Sequence, residues 1–524
     1  MNRWISSPQN SSRGANPGLI MALVCLPVFI GALDLTVISA VLPQVMYDLE
    51  IPLQTDLDQA SWLVTGYLLA YSVTMSFMGR VSDLYGRRRV YLICLSIFTV
   101  GSAGVAVADT LPWLIAGRVV QAIGGGAMVP VSMALVGDLF PPGRRAALVG
   151  LIGAVDTAGW VTGHLYGGIM VRMFDWRLIF WLNIPIALLA LALTWWALQK
   201  VPQPRTAERL DWLGAVLIAL CLTALNLGLG SGGELTLSAA VLDEPPGAPA
   251  YAVPLMLAAG ALFLAFLWVE HRSSHPLLAL GLFRRPGVAA AGLINFVLGY
   301  CVVIGLVNVP LFINIIIPGS PAERAWMSGW LLSAYTIPMA LAAIPGGWMV
   351  NRLGYRPPAW LGLLLGAAGF VALGTWTPHT NYAQMVPPLV ISGIGLGLVI
   401  SPAATVVINA AGERERGMAA ALVIVLRLIG MTVGVSVMTS YGVRRFREIS
   451  TSLLAAADSG AVASSLEQML EIGSQATVQV VNEAFWVGAA ACCLATVGAI
   501  WLAGKPSEPR RPTGSHQGSF RNGA

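Results

Sequence analysis

Four charged side chains stand inside otherwise apolar stretches of this chain: Asp34, Arg118, Asp156 and Arg427. A charge at the centre of a bilayer costs roughly 2.5–3.5 kcal/mol on insertion scales, so such residues are rare and usually mark a functional path. Two carboxylates and a guanidinium at one level can exchange a proton. Burial favours the neutral acid, a nearby Arg favours the anion, and a movement that changes their separation switches between the two. A static buried ion pair would read the same way. Other chemistries find no support. There is no GxxxxGK[ST] loop to cradle a nucleotide phosphate and no nucleophile–base constellation, so no catalytic residue is nominated and an enzyme is not expected. The six cysteines lack CxxC or Cys/His spacing, which argues against a metal site and a disulfide framework.

The elements that position these charges follow from composition. The 524 residues are 56% hydrophobic and 10% charged, against roughly 25% charged in an average soluble domain. Mean hydropathy is +0.74. This excludes an ordinary soluble enzyme, a nucleic-acid binder and a disordered scaffold. A bilayer core of ~30 Å needs about 20 apolar residues per helix. Fourteen stretches qualify, near 18–47, 60–78, 90–108, 112–135, 146–171, 178–199, 212–230, 252–270, 288–316, 326–350, 359–376, 384–408, 417–447 and 478–502. At 1.5 Å per residue, Asp34 lies ~21 Å from the inner end of its helix, and Asp156 and Arg427 each lie ~15 Å from theirs. One slab near the midplane therefore holds all three.

Most of the 30 basic residues fall in alternate connections, which places the N-terminus and, with an even helix count, the C-terminus in the cytoplasm. The formal charge of +5 is then a topology signal and needs no nucleic-acid partner.

The chain also repeats itself. Gly79, Asp83, Gly86 and Arg88 recur as Gly347, Asn351, Gly354 and Arg356, 268 residues on, with Arg352 beside Asn351 in the second copy. IGGGAMVP from Ile123 recurs as IGLGLVISP from Ile394, and Arg427 falls 271 residues after Asp156. Two related six-helix halves, with two helices inserted between them, suit a secondary transporter with a central site and rocking halves. Asp83 and Arg87, beside a helix end, are suited to hold two helices together and release them. Asn351 in the second copy makes a weaker latch.

GRVSDLYGRRR resembles the helix 2–3 signature of the major facilitator superfamily. LDLTVISAVLPQV from Leu33, RVVQAIGGGAMVP from Arg118, DWRLIFWLNIP from Asp175 and HPLLALGLFRRP from His275 resemble its 14-helix drug:proton antiporter branch. Within it, GALDLTV, WLVTGYLLAY, GHLYGG, GLGLVISP and VLRLIGMTVGVSVMTSYGVRRF look most like the triacylglyceride exporters. The resemblance implies an all-α integral membrane fold with 14 transmembrane helices. Its parts would be a tail 1–17, a six-helix domain 18–199, a linker with two inserted helices 200–287, a six-helix domain 288–503 and a tail 504–524.

It also implies export by alternating access in the plasma (inner) membrane. Proton entry drives it and no cofactor is needed. The cargo is hydrophobic or amphiphilic, a lipid such as triacylglyceride or a range of drugs. A periplasmic lipoprotein is an implied partner, and a monomer is expected. Asp34, Asp156, Arg427 and Arg118 would couple protons, although Arg118, with Gln121 one turn away, also suits hydrogen bonding to backbone carbonyls. Asp83, Arg87 and their repeat partners would gate.

The branch signature GPxxGG reads Gly163-His164-Leu165-Tyr166-Gly167-Gly168 here. With Gly159, these glycines are placed for close helix packing. The proline is replaced by His164, which keeps proton-coupled uptake open as an alternative. Trp62, Tyr67, Tyr71 and Gln121 are candidates to line an apolar cavity. The stretch 417–447 would make a helix of ~46 Å, longer than the ~30 Å core. It would therefore stand out of the membrane with Arg444, Arg445 and Arg447, and the periodic segment leading into the last stretch would protrude beside it.

Overall fold

The structure, a computed structural model, describes residues 17–50, 57–199, 211–228, 251–273, 280–318, 321–411, 415–458 and 466–502. Both chain ends and the connection 231–250 lie outside the described residues. Every regular element among those described is helical. The helices are α1 Pro17–Asp48, α2 Leu57–Tyr85, α3 Arg87–Ala106, α4 Leu111–Gly126, α5 Met128–Leu139, α6 Pro142–Met173, α7 Arg177–Ala197 and α8 Trp212–Gly228. They continue as α9 Ala252–Arg272, α10 Val288–Ile316, α11 Pro321–Leu353, α12 Arg356–Leu373, α13 Tyr382–Ala410, α14 Arg416–Asp458 and α15 Leu466–Gly498.

A helix covers most of the described residues of each apolar stretch, the fourth being divided at Ala127 into α4 and α5. Among the described residues, eleven helical segments are long and apolar enough to cross a membrane. The helices α2 and α6 are not among them. They carry glycine, hydroxyl and charged residues because they meet other helices rather than lipid alone. The helix α8 has only 17 residues.

The repeat is visible in the packing. In the first half α1 packs on α6, α2 and α3 on α4, and α3 on α7. In the second half α10 packs on α14, α11 and α12 on α13, and α12 on α15. The halves meet along two seams, α6 against α11 and α2 against α14. The inserted α8 and α9 pack on each other and on α2, through Leu84, Ala215, Ile218, Leu222 and Phe266. Ile429 of α14 joins that cluster, and the Thr432 hydroxyl of α14 donates to Asn226 Oδ1 of α8 at 3.3 Å. The inserted pair thus touches both sides of the α2–α14 seam.

The long penultimate helix runs further than its apolar stretch indicated. The 43 residues of α14 make a rod of about 64 Å. Beyond the bundle it pairs with the start of α15 around buried Ile449, Ala476 and Val480. Arg445 bonds Glu483 at 3.0 Å and Glu448 at 3.1 Å, and the Tyr441 hydroxyl donates to Glu483 at 2.7 Å. Hydrogen bonds to Glu483, then to Glu448, push the Arg445 guanidinium above its ordinary value. Because these charges are partly exposed, the apolar contact holds the extension. Burying an isoleucine is worth about 1.5–3 kcal/mol. Ile449→Asp should therefore open the extension to protease while leaving the thermal unfolding of the bundle unchanged. Equal protease resistance would show that the polar contacts suffice.

Candidate functional site

Asp34 is fully buried on α1, and its partner is Arg118 of α4, with Nη1 to Oδ2 at 2.5 Å. Arg118 Nη2 also donates to the Asp34 carbonyl oxygen at 3.1 Å, and Asn183 Nδ2 of α7 donates to Oδ1 at 3.0 Å. Gln121 accepts from Arg118 at 2.8 Å and donates to Ser102 at 2.8 Å. The Tyr67 ring lies 3.9 Å from the guanidinium carbon and stacks on Tyr71 at 5.9 Å. This cluster belongs wholly to the first half. It contains the bond from Arg118 to a backbone carbonyl that its residue type suited, and adds an ion pair with Asp34.

Asp156 and Arg427 face a separate space. Both line a cavity between the halves, within electrostatic reach of each other. Asp156 Oδ1 and Arg427 Nε and Nη2 are buried without a hydrogen-bond partner. The single slab expected from depth is therefore two sites. Height along a helix says nothing of direction around it, and Asp34 turns toward α4 while Asp156 turns toward α14. The cavity, about 80 Å³, also takes in Thr36, Trp160, Ser333 and Thr336. A space of this size is small beside a lipid, so bulky cargo requires the halves to part.

The aromatic candidates are corrected. Trp62 is 41% exposed on the outside of α2. Tyr67, Tyr71 and Gln121 are fully buried around Arg118 instead of lining the cavity. Trp160 of α6 is the cavity aromatic that sequence reading missed.

The latch is built at the end of the bundle that carries most of the arginines. Asp83 of α2 accepts from the backbone N–H groups of Gly417 and Met418, both at 3.1 Å. These N–H groups belong to the first turn of α14, where an anion is favoured. Asp83 also pairs with Arg87. Asp138, at the end of α5, bridges Arg87 Nε at 3.1 Å and Arg416 Nη1 of α14 at 3.1 Å. Gly79 has no room for a Cβ, which would overlap the Gly417 carbonyl. Gly86 turns the chain from α2 to α3 at φ 93°, and Gly354 does the same at φ 91°, a region that favours glycine.

The second copy reproduces the positions without the carboxylates. Gly347 meets the Ala146 and Ala147 backbone of α6, as Gly79 meets Gly417. Asn351 replaces Asp83, Tyr355 replaces Arg87, Asn409 replaces Asp138 and Arg145 replaces Arg416. Arg145 donates to Asn409 Oδ1 at 3.4 Å, and Asn409 donates to the Tyr355 hydroxyl at 2.9 Å. Asn351 Oδ1 is buried without a partner. Arg352 does not join the latch; it is exposed and lies over Trp348 at 4.0 Å. Asp138 and Arg416 lacked any local signal, since charges at span ends are ordinary. The repeat offset of 271 would have found them.

On α6, Gly159 and Gly163 lie against α1, where a Cβ would strike Ala32 and the Leu33 and Phe29 carbonyls. Gly167 is buried. Gly168 is open, with nothing within 4 Å of a Cβ, and is not a packing residue. The side chain of His164 lies outside the described residues.

A model of the Major Facilitator Superfamily matches residues 24–322 and 319–522. The chain belongs to the major facilitator superfamily. It is 32% identical to a triacylglyceride transporter of Mycolicibacterium hassiacum over 526 residues, covering 96% of this chain and 94% of the relative. It is 32% identical to a triacylglyceride transporter of Mycobacterium tuberculosis strain H37Rv, covering 93% and 95%. Among solved structures it is similar to a human organic anion transporter, with TM-score 0.58 and 15% identity over 91% of this chain and 100% of the other. A proton:xylose symporter gives TM-score 0.57 and 15% identity over 92% and 94%. These structures share the superfamily fold. All four names describe transporters, a class distinct from enzymes.

Two contrasts test the site. Asp34→Ala leaves Arg118 buried and unpaired, an expected loss of about 3–5 kcal/mol. It should lower the melting temperature in detergent, whereas Asp156→Asn, which removes no hydrogen-bonded pair, should leave it nearly unchanged. Equal melting of both would dissolve the distinction between the sites. Asp83→Ala should shift spin-label distances across the arginine-rich end toward separated halves. Asn351→Ala, at the copy without carboxylates, should shift them little, and equal shifts would refute the asymmetry.

Proposed function

We propose that the chain is a proton-coupled exporter of hydrophobic or amphiphilic molecules, with an ester-linked lipid such as triacylglyceride as its cargo. It works by alternating access in the inner membrane, through fourteen helices with both chain ends in the cytoplasm. The proton gradient is its energy source. The observation that carries the coupling is the pair Asp156 and Arg427, one from each half, facing one cavity with polar atoms left without hydrogen bonds. A proton on Asp156 removes the charge that faces Arg427 and so changes the attraction between the halves. The lipid cargo is favoured by the relatives named as triacylglyceride transporters along nearly the whole chain. A periplasmic lipoprotein receiving that cargo beside the α14–α15 extension completes the reading.

The test uses vesicles holding the purified protein, an imposed proton gradient, a fluorescent triacylglyceride and an efflux dye. Acid on the outer side should drive lipid outward. Asp156→Asn and Arg427→Ala should each lower that flux about tenfold or more, roughly 1.4 kcal/mol or more on the driven step, because neither variant can switch the charge that faces the other half. Undiminished proton-driven flux in both variants would end the coupling scheme. Dye export without lipid export would make this a drug exporter, and inward accumulation would make it an uptake symporter.

A further inference from the structure

The side chains that line the central cavity do not offer donors and acceptors equally. Four hydroxyls on its wall turn their protons to backbone carbonyls. Thr36 donates to Trp160 O at 2.8 Å, Thr157 to Gly153 O at 2.8 Å, Ser333 to Gly329 O at 2.8 Å and Thr336 to Leu332 O at 2.6 Å. The orphaned polar atoms of the lining residues are Trp160 Nε1, Arg427 Nε, Arg427 Nη2 and Asp156 Oδ1. Three of these are donors and one is an acceptor. A buried donor left unmade costs about 1–3 kcal/mol, and native structures keep such groups where a ligand or movement supplies the partner.

Trp160 is the informative member. Its indole is a donor only, so its needs do not change with protonation. It lies one helical turn from Asp156 on α6, and its backbone carbonyl, held by Thr36, ties that turn to α1. The remainder of the wall is apolar, with Leu298, Val302, Leu306 and Leu332. A ligand received on this wall when the halves part must be largely hydrocarbon, must offer acceptors and needs no donor of its own. An ester carbonyl on an acyl chain has that chemistry. A cationic amphiphile brings donors and a positive charge toward Arg427 instead.

We infer that Trp160 is a specificity-determining residue: its indole N–H, with Arg427 beside it, donates to an ester carbonyl of the cargo in the central cavity. The inference rests on the lipid reading above and assigns the group within the lipid that is read. The indole provides selectivity for carbonyl-bearing chains, while Arg427 also answers to Asp156.

Binding to the purified full-length chain in detergent provides the test, with a medium-chain triacylglyceride and the triether of the same chain length, which lacks the carbonyls. The wild-type chain should bind the ester about three- to tenfold more tightly than the ether, the worth of one hydrogen bond. Trp160→Phe keeps the ring and removes the N–H. It should weaken the ester to the level of the ether and leave the ether unchanged. Equal wild-type affinity for the two lipids, or binding of neither, overturns the inference whether or not the variant folds. A Trp160→Phe chain that still prefers the ester overturns it as well. Failure of the export scheme looks different: ester-selective binding would persist without proton-driven flux.

Discussion

The structure depends on the cost of placing charge inside an apolar bundle. A chain that is 10% charged keeps few ionic groups in its interior, and each must be matched by geometry. Asp34 meets this condition completely. It receives Arg118 and Asn183 on its two oxygens and is closed over by Tyr67. The pair joins α1, α4 and α7 and fixes the first half as a unit. Asp156 and Arg427 meet the condition only partly, because they belong to different halves and can be matched only when the halves approach. A satisfied pair suits a rigid body, and an incompletely satisfied pair suits the joint between two bodies.

The same division appears at the arginine-rich end. Asp83, Arg87, Asp138 and Arg416 use charge to hold α2, α3 and α5 against the first turn of α14. Their repeat counterparts on the other seam use amide and phenol groups with the single guanidinium of Arg145, and no carboxylate. Both seams retain the glycine contact, so close approach of the halves is common to them. What differs is how steeply each contact depends on distance and water. An ionic latch fed by a helix terminus weakens sharply when water enters, while neutral hydrogen bonds exchange with water at little net cost. Among the described residues, the inserted pair packs against the ionic seam through α8 and the Phe266 cluster, which reinforces the asymmetry.

Much of this was legible in the sequence, and the limits have a physical origin. All fourteen helical stretches follow from hydropathy, since runs that are long and apolar leave few alternatives. The repeat follows from glycines that have no substitute at a close contact or at positive φ. Asp34, Asp156, Arg118 and Arg427 stand out because charge is scarce around them. Their partners do not follow, because a linear pattern gives depth and leaves direction around the axis open. For the same reason Trp62 was placed inward and lies outward, while Trp160 went unnoticed. Asp138 and Arg416 were hidden at span ends, where charge is the rule. Only comparison between the halves singles them out.

The continuity of α14 has a mechanical meaning. One unbroken helix begins at the amides that bind Asp83, carries Arg427 at the cavity and ends in the paired extension with α15. Its geometry is that of a lever arm held at its latched end. A tilt of about 10° at that end would sweep the far tip of a rod of about 64 Å through roughly 11 Å. Events at the latch and at the distant surface are then one displacement read at two radii, small where the charges lock and large where the helix leaves the bundle.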